Sequence, residues 1–278
     1  MLNVTEPEYI LLKQYIETHC GIFLENGKEY LIETRLSELA KEVGANTFQD
    51  FHYIARNDST GTLKNKIIDA MTTNETSWFR DPSAWSYIKE EALPSLFSRM
   101  FSGQKIRLWS AASSTGQEAY SLAIYVYEEA MKRGIYSLDN KVEIIGTDIS
   151  SSAIKTAKEG KYDTISMSRG MPEDKKNKYF KQQGNYWTLN KEIKKNVSFQ
   201  EFNLQNSFMP LGSFDIILCR YVTIYFSESF KKELFKKFSK MLKKTGDVLL
   251  LGATESLRGF SDDFNITYYN NAMINKKK

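Results

Sequence analysis

Between Lys105 and Tyr125 the chain reads KIRLWSAASSTGQEAYSLAIY, and this stretch restricts the possible folds more than any other. A short apolar strand (Ile106, Leu108, Trp109) runs into a series of the smallest residues, Ser110 to Gly116. A helix then starts at once, with Tyr120, Ala123, Ile124 and Tyr127 as its inner face. Strand, tight turn and helix in that order form the first unit of a nucleotide-type α/β fold, where a ligand sits over the carboxyl end of the strand. Small side chains let the backbone approach the ligand, and the helix start offers unpaired N–H groups. The turn holds one glycine and neither Gly-x-Gly-x-x-Gly nor Gly-Lys-Ser/Thr. That argues against a phosphate grip and for a ligand held by its sugar and base.

The rest of the chain extends this unit. Short strands rich in Ile, Val, Leu and Phe are predicted at Ile106–Ser110, Val142–Thr147, Val197–Asn203, Phe214–Cys219 and Val248–Gly252, alternating with helices. Such alternation implies a mostly parallel sheet with both faces covered. Ile266–Tyr269 and Ala272–Asn275 flank Asn270-Asn271 and read as a closing hairpin. Between Tyr179 and Asn196 helical period is absent and a Gly-Asn turn is present, which predicts a small antiparallel insertion. Residues 1–70 instead carry helical spacing, in Ile32, Leu36, Leu39, Ala40 and Val43, then Phe48, Phe51, Ile54 and Ala55, then Leu63, Ile67, Ile68 and Met71. Residues 71–104 link the two parts.

Several function classes are excluded. The 278 residues suffice for one large domain or two small ones with a sizeable core. No apolar run approaches the ~20 residues of a membrane span, and the N-terminus lacks a basic start followed by an apolar core, so a cytoplasmic protein is expected. Cys20 and Cys219 fit no metal spacing and read as reduced, buried thiols. With His19 and His52 the only histidines, neither a zinc site nor a Ser-His-Asp triad has support, and no metal is expected. The net charge of +4 hides an asymmetry: residues 1–70 carry −4 and the remainder +8. The excess lies at Lys175–Lys195 and Lys231–Lys244. In the second run Phe230, Leu234, Phe235, Phe238, Met241 and Leu242 form one apolar face opposite the lysines, which reads as a packed helix with a solvated outer side, or as a docking surface for an acidic partner. No motif accompanies the lysines that would indicate nucleic acid.

Chemistry is expected where strands end. Gly146-Thr147-Asp148 places an acid to accept bonds from both hydroxyls of a ribose, though Asp148 or Ser150 also serves as a helix N-cap. Asn203 offers the donor and acceptor of an adenine edge, and Leu204 can cover its face. The strand in FDIILCRYVTIYF exits with Arg220, Tyr221 and Tyr225, and a charged residue there must be exposed or paired. Thr73 to Arg80 is a polar run interrupted by Trp78 and Phe79. It reads as a ligand-contacting segment or as an ordinary buried junction.

NETSWFRD, RLWSAASSTGQEAYSLA, GTDIS followed by KEGKY, FNL, FDIILCRYVTIYF and LLLGATES, in this order and spacing, resemble the CheR family. These are S-adenosylmethionine-dependent glutamate O-methyltransferases of bacterial chemotaxis receptors, and the resemblance covers nearly the whole chain. It implies an all-α N-terminal domain over 1–72, a linker and cofactor-contacting segment over 73–104, and a class I methyltransferase (Rossmann-like) α/β domain over 105–278 with a small antiparallel β-subdomain inserted at 163–196. It further implies cofactor contacts from Asn74, Thr76, Arg80, Gln117, Glu118, Asp148, Asn203, Leu204, Arg220 and Tyr221. Arg80 and Tyr225 match the positions nearest the transferred methyl. S-adenosylhomocysteine would be the product, the cytoplasmic region of chemotaxis receptors the partner, and a monomer the acting unit.

The chain departs from the family pattern at three places. The turn reads Gly116-Gln117-Glu118-Ala119-Tyr120 rather than Gly-Glu-Glu-Pro-Tyr. Arg220 is followed by Tyr221 rather than asparagine, and the N-terminal unit is acidic where the family's is often basic. These departures leave open a non-catalytic sensor of S-adenosylmethionine and a methyltransferase acting on a protein other than a receptor.

Overall fold

The helical unit starts where a carboxylate reaches back over a helix N-terminus. Glu8 accepts from the Thr5 N–H and hydroxyl at 2.9 and 2.7 Å and so satisfies a group the helix α1 (Glu6–Cys20) cannot. The computed structural model describes residues 2–101 and 103–278. Helices α2 (Glu29–Glu42), α3 (Phe48–Asn57) and α4 (Thr62–Met71) follow, α3 with a reciprocal Thr47–Asp50 cap. Their shared core holds Leu12, Ile16, Ile32, Leu36, Phe48, Phe51 and Ile67, as the helical spacing predicts, while Leu39, Val43 and Ile54 lie at its margin.

Beyond Met71 the chain runs without regular structure to a turn at Trp78 and Phe79, and is then helical from α5 (Pro82–Tyr87) through a π turn (Ile88–Ala92) to α6 (Leu93–Met100). Leu93, Leu96 and Phe97 pack into the α/β core, so the second half of the expected linker belongs to the sheet's covering layer. Strand β1 (Ile106–Ala111), helix α7 (Gln117–Lys132), β2 (Val142–Asp148) and α8 (Ser151–Glu159) continue the alternation.

The insertion comprises β3 (Lys161–Asp163), α9 (Thr164–Ser168), α10 (Glu173–Tyr179), β4 (Phe180–Gln183), β5 (Tyr186–Leu189) and the short α11 (Lys191–Lys194). Its strands pair antiparallel in the order β3-β5-β4. The Gly-Asn turn joins β4 to β5 as expected, but the last part of the insertion is a helical turn.

The chain returns through β6 (Val197–Glu201), β7 (Ile216–Cys219), α12 (Glu228–Met241), β8 (Val248–Leu250), β9 (Phe264–Tyr269) and β10 (Ala272–Lys277). Among the described residues the main sheet has seven strands in the order β6-β2-β1-β7-β8-β10-β9, parallel except for β10 with its neighbours. Strands alternate their side chains between two cores. Leu108, Ile144, Ile216, Leu218 and Leu250 face α6 and α7. Trp109, Ile217 and Leu249 face α12, which buries Leu234, Phe235, Phe238 and Met241 as its apolar stripe predicts. Each large side chain fully removed from water contributes on the order of 1.5–3 kcal/mol.

Because β2 lies on one side of β1 and β7 on the other, the connections leave β1 in opposite directions. A crevice opens at that reversal, above the carboxyl ends Ala111, Asp148 and Cys219. The fold is thus an all-α domain followed by a Rossmann-like α/β domain with a small antiparallel sheet.

Candidate functional site

The segment joining the two domains is fixed by its aromatics. The Trp78 indole donates to the Ser166 carbonyl at 3.1 Å and meets the Tyr162 and Phe180 rings edge-on at 5.0 and 5.4 Å. Phe79 packs on Trp85 and Tyr125. Backbone φ is positive at Phe79 (46°) and Asp81 (62°), so packing on both sides holds the chain in turns that non-glycine residues rarely adopt. This presents Asn74, Thr76 and Arg80 to the crevice. Asn74 latches the segment down, donating from Nδ2 to Ser150 Oγ at 3.2 Å and accepting at its carbonyl from Ser114 Oγ at 2.7 Å.

The walls of the crevice include Asn74, Thr76, Arg80, Glu118, Asp148, Asn203, Leu204, Arg220, Tyr221 and Tyr225. Ten of the residues expected to act together are therefore brought to one cavity. Gln117 is not: its Oε1 accepts from Thr115 Oγ1 at 2.8 Å and the residue is buried away from the lining, so only Glu118 of that pair faces the space. The turn above β1 makes room through positive φ at Ala112, Ser114 and Gly116. A Cβ on Gly116 would lie 2.9 Å from Ala157 and 3.1 Å from Phe199.

Asp148 is not the cap of α8. Ser150 takes that place, its Oγ accepting from the Ala153 N–H at 3.1 Å. The Asp148 oxygens accept instead from Ser114 N at 2.7 Å and Ser150 N at 2.9 Å, which fixes the carboxylate at the cavity wall. Burial pushes its pKa above the ordinary aspartate value despite these bonds.

Asn203 lies on the wall, and its amide also bonds within the protein. Nδ2 donates to the His19 carbonyl at the end of α1 (2.8 Å), and Oδ1 accepts from Gln205 N (2.9 Å). Its side chain thus ties the crevice wall to the helical domain, and Leu204 lines the crevice beside it. Gln205 Nε2 adds a bond to the Glu17 carbonyl (3.0 Å), and Phe23 N donates to Tyr225 O (2.8 Å). These contacts seat the helical domain against the crevice, where Cys20 and Ile22 complete the lining. Burial raises the Cys20 thiol to about 11, so it stays protonated and inert at neutral pH.

Opposite Asp148, Arg220 is the buried hub of a charged network, with its side chain 3% exposed. Nη1 donates to Glu118 at 3.0 Å, and Nη2 donates to Asp81 Oδ2 and to the Arg80 carbonyl, both at 2.6 Å. Burial works to raise the Asp81 pKa, yet bonds from Tyr221 and Arg220 outweigh it and hold the carboxyl below its ordinary value. Arg220 Nε has no partner, and neither does the buried Ser113 hydroxyl on the same lining. Orphaned buried donors are rare and point to a missing partner. A spare guanidinium N–H suits a carboxylate, an acid at a strand end suits ribose hydroxyls, and Leu204 suits an adenine face. The residues present therefore fit S-adenosylmethionine.

Arg80 and Tyr221 meet in a way the sequence did not reveal. The Arg80 guanidinium lies 3.5 Å above the Tyr221 ring centroid, and the Tyr221 hydroxyl donates to Asp81 at 2.6 Å. Two residues of the site carried no expected role, Asp81 and Glu255. Each sits inside a quoted motif, NETSWFRD and LLLGATES, where an acid beside a strand end or a turn was the available signal. Among the described residues no cluster of His, Cys, Asp and Glu suits a metal, and no helix is long and apolar enough to cross a membrane.

Comparison with known families agrees with this architecture. A family described as "CheR methyltransferase, SAM binding domain" matches residues 74–273, and one described as "CheR methyltransferase, all-alpha domain" matches residues 7–72. "Chemotaxis protein methyltransferase 1" of Pseudomonas aeruginosa is 35% identical over 278 residues, covering 100% of both chains. "Chemotaxis protein methyltransferase" of Vibrio anguillarum is 36% identical, covering 100% of this chain and 99% of its own. Its counterpart in Borreliella burgdorferi is 34% identical, covering 93% and 91%.

Proposed function

The chain belongs to the CheR methyltransferase family, and from that premise we propose that it methylates glutamate side-chain carboxylates of chemotaxis receptors, using S-adenosylmethionine and leaving glutamyl methyl esters. The single observation that carries the reading is the crevice at the strand ends, whose wall brings together Arg80, Asp148, Leu204 and Arg220. Asp148 would hold the ribose, Leu204 the adenine and Arg220 the methionyl carboxylate. When bound, S-adenosylmethionine supplies a methyl group on a sulfonium, an electrophile that an ionised carboxylate accepts without a general base.

A glutamate has an unperturbed pKa of about 4.3 and is ionised at neutral pH, so the lack of a histidine in the crevice is no obstacle. The work left to the protein is alignment, which supplies on the order of 7–11 kcal/mol when the reacting groups are held near attack. Arg80 orients the substrate carboxylate, and Tyr225 fixes one of its oxygens. The benefit of Arg80 comes from orientation, because a clamp that only stabilised the ground-state carboxylate would not speed transfer.

The reading as a sensor without turnover is not favoured, since the relatives are named as methyltransferases. A non-receptor substrate is likewise not favoured by those names.

The direct test incubates the protein with a receptor cytoplasmic fragment and radiolabelled methyl donor. Base-labile methyl esters on glutamates are expected, and their absence with intact cofactor binding would sink the proposal. Tyr225→Phe should slow transfer by about 10- to 150-fold, the loss of one charge-assisted bond of ~1.5–3 kcal/mol, read as kcat in the same assay.

A pH dependence is expected as well. The Asp148 carboxylate accepts ribose hydroxyls only when ionised, and burial places its pKa above the ordinary value. Cofactor affinity, measured by calorimetry, should therefore fall on acidification before an ordinary aspartate would protonate. Asp148→Asn should remove that part of the dependence.

A further inference from the structure

Tyr221, directly after the buried Arg220, departs from ordinary backbone geometry. Its φ is +59°, in the left-handed region that favours glycine, although it carries a large aromatic side chain. Something must hold it there, and the neighbour that does so is Glu255, just beyond β8.

Glu255 is 6% exposed, and its carboxylate accepts five hydrogen bonds. Oε2 accepts from Tyr221 N at 2.6 Å and Gly252 N at 2.8 Å. Oε1 accepts from Val222 N at 3.1 Å, Thr223 N at 2.8 Å and Thr223 Oγ1 at 2.6 Å. Three successive N–H groups thus converge on one anion, an arrangement that a carboxylate satisfies and an amide does not. The bend they impose turns the Tyr221 side chain back across the crevice. Two further contacts fix the ring. Its hydroxyl donates to Asp81, and its edge lies against Gly252, where an added Cβ would come within 3.0 Å of it.

On that ring rests Arg80. A guanidinium stacked on an aromatic face uses its faces for the stack and keeps its in-plane N–H groups free, which is the edge that grips a carboxylate in two places. Among the described residues the Arg80 side chain donates no hydrogen bond to the protein, so the ring contact at 3.5 Å is what orients it. A side chain without an aromatic ring at position 221 would have no such face to offer.

We infer that Tyr221 and Glu255 are positioning residues for Arg80: Tyr221 is its aromatic platform, and Glu255 clamps the backbone that aims the platform. The inference rests on the reading above, in which Arg80 orients the substrate carboxylate. It changes the role of Tyr221 from a cofactor contact to a residue that acts through Arg80, and it assigns one to Glu255.

The test compares Tyr221→Leu, Tyr221→Phe and Glu255→Gln by kcat at saturating methyl donor with a receptor fragment, alongside S-adenosylhomocysteine affinity by calorimetry. Tyr221→Leu should lower kcat about 3- to 30-fold, the range of a partly desolvated cation–π contact, and change the affinity by less than about 2-fold. Tyr221→Phe keeps the ring and should restore kcat to within about 3-fold of the native value. Glu255→Gln should lower kcat in the same direction, and combining it with Tyr221→Leu should cost less than the product of the two, as expected for residues acting as a unit.

Because Glu255→Gln can also loosen the fold, the Tyr221 pair decides alone. A large loss of cofactor affinity in Tyr221→Leu with native kcat at saturation overturns the platform, and so does a Phe variant as slow as the Leu variant. If Arg80→Ala is inactive while Tyr221→Leu is native, the platform fails and the role of Arg80 stands. If Arg80→Ala itself keeps native turnover, the underlying reading of Arg80 fails instead.

Discussion

Arg80→Ala is expected to lower methyl transfer by about 10³-fold while the protein keeps its fold. Two charge-assisted bonds to a substrate carboxylate, each worth ~1.5–3 kcal/mol, correspond to roughly 10²- to 10⁴-fold in rate when both are lost from the transition state. The fold should tolerate the change because the side chain stacks on Tyr221 at the cavity wall and leaves no buried partner unsatisfied when removed. Loss of the stack is on the order of 1 kcal/mol, which for a chain of this size shifts Tm by about 2–4 °C. Arg80→Lys should recover little, since an ammonium has neither the planar face for the ring nor the fork for the carboxylate. Rates come from incorporation of radiolabelled methyl into a receptor fragment, and stability from thermal unfolding. Near-native rates in the alanine variant would falsify the catalytic role of Arg80.

The two parts of this chain differed in how plainly their sequence announced them. Strands buried on both faces read as continuous runs of Ile, Val and Leu, so β1, β2 and β7 were visible with their ends nearly in place. The helical i, i+4, i+8 spacing of Ile32, Leu36 and Ala40 marked α2 equally well. Short-range signals also located the acid at the end of β2 and the arginine at the end of β7. What the sequence could not supply was which polar groups also bond within the protein itself. Asn203 has the right chemistry for a base, and its amide also ties the crevice wall to α1 through His19, a partner 184 residues away. Gln117 and Glu118 are adjacent and both polar, but helix geometry turns one inward and the other to the crevice. The Tyr221 platform depended on a left-handed backbone held by Glu255, a contact across 34 residues that no local pattern encodes. Aromatic residues in the joining segment were a correct signal of constraint, although Trp78 and Phe79 pack away from the site in order to hold Arg80 in it.

Arg220→Met should be the most destabilising single change at the site, at about 3–5 kcal/mol, because it leaves two carboxylates without the cation between them. Asp81 Oδ2 lies 2.6 Å and Glu118 Oε2 3.0 Å from the guanidinium, and methionine fills its volume without its charge. The deficit should depend on pH with a definite sign. In the native protein Asp81 has a folded pKa below its ordinary value of 3.8, so its contribution is fully present above that value and is lost only as pH falls through the lower folded pKa. In the variant Asp81 loses the guanidinium that helps to hold its carboxyl down, so its folded pKa moves up and the stability it contributed is lost. The two stability curves should accordingly be far apart at neutral pH and converge only as pH falls towards and below the ordinary aspartate value of 3.8. Urea unfolding across that range measures the gap. A gap that stays constant would mean that lost packing, not stranded charge, is responsible. Adding Asp81→Asn to Arg220→Met supplies the second reading. Removing one of the stranded charges should return part of the lost stability at neutral pH, whereas the same Asp81→Asn change in the native background should only weaken the hold on Arg220 and Tyr221. Opposite signs for one substitution in two backgrounds are the signature of a network organised around its cation.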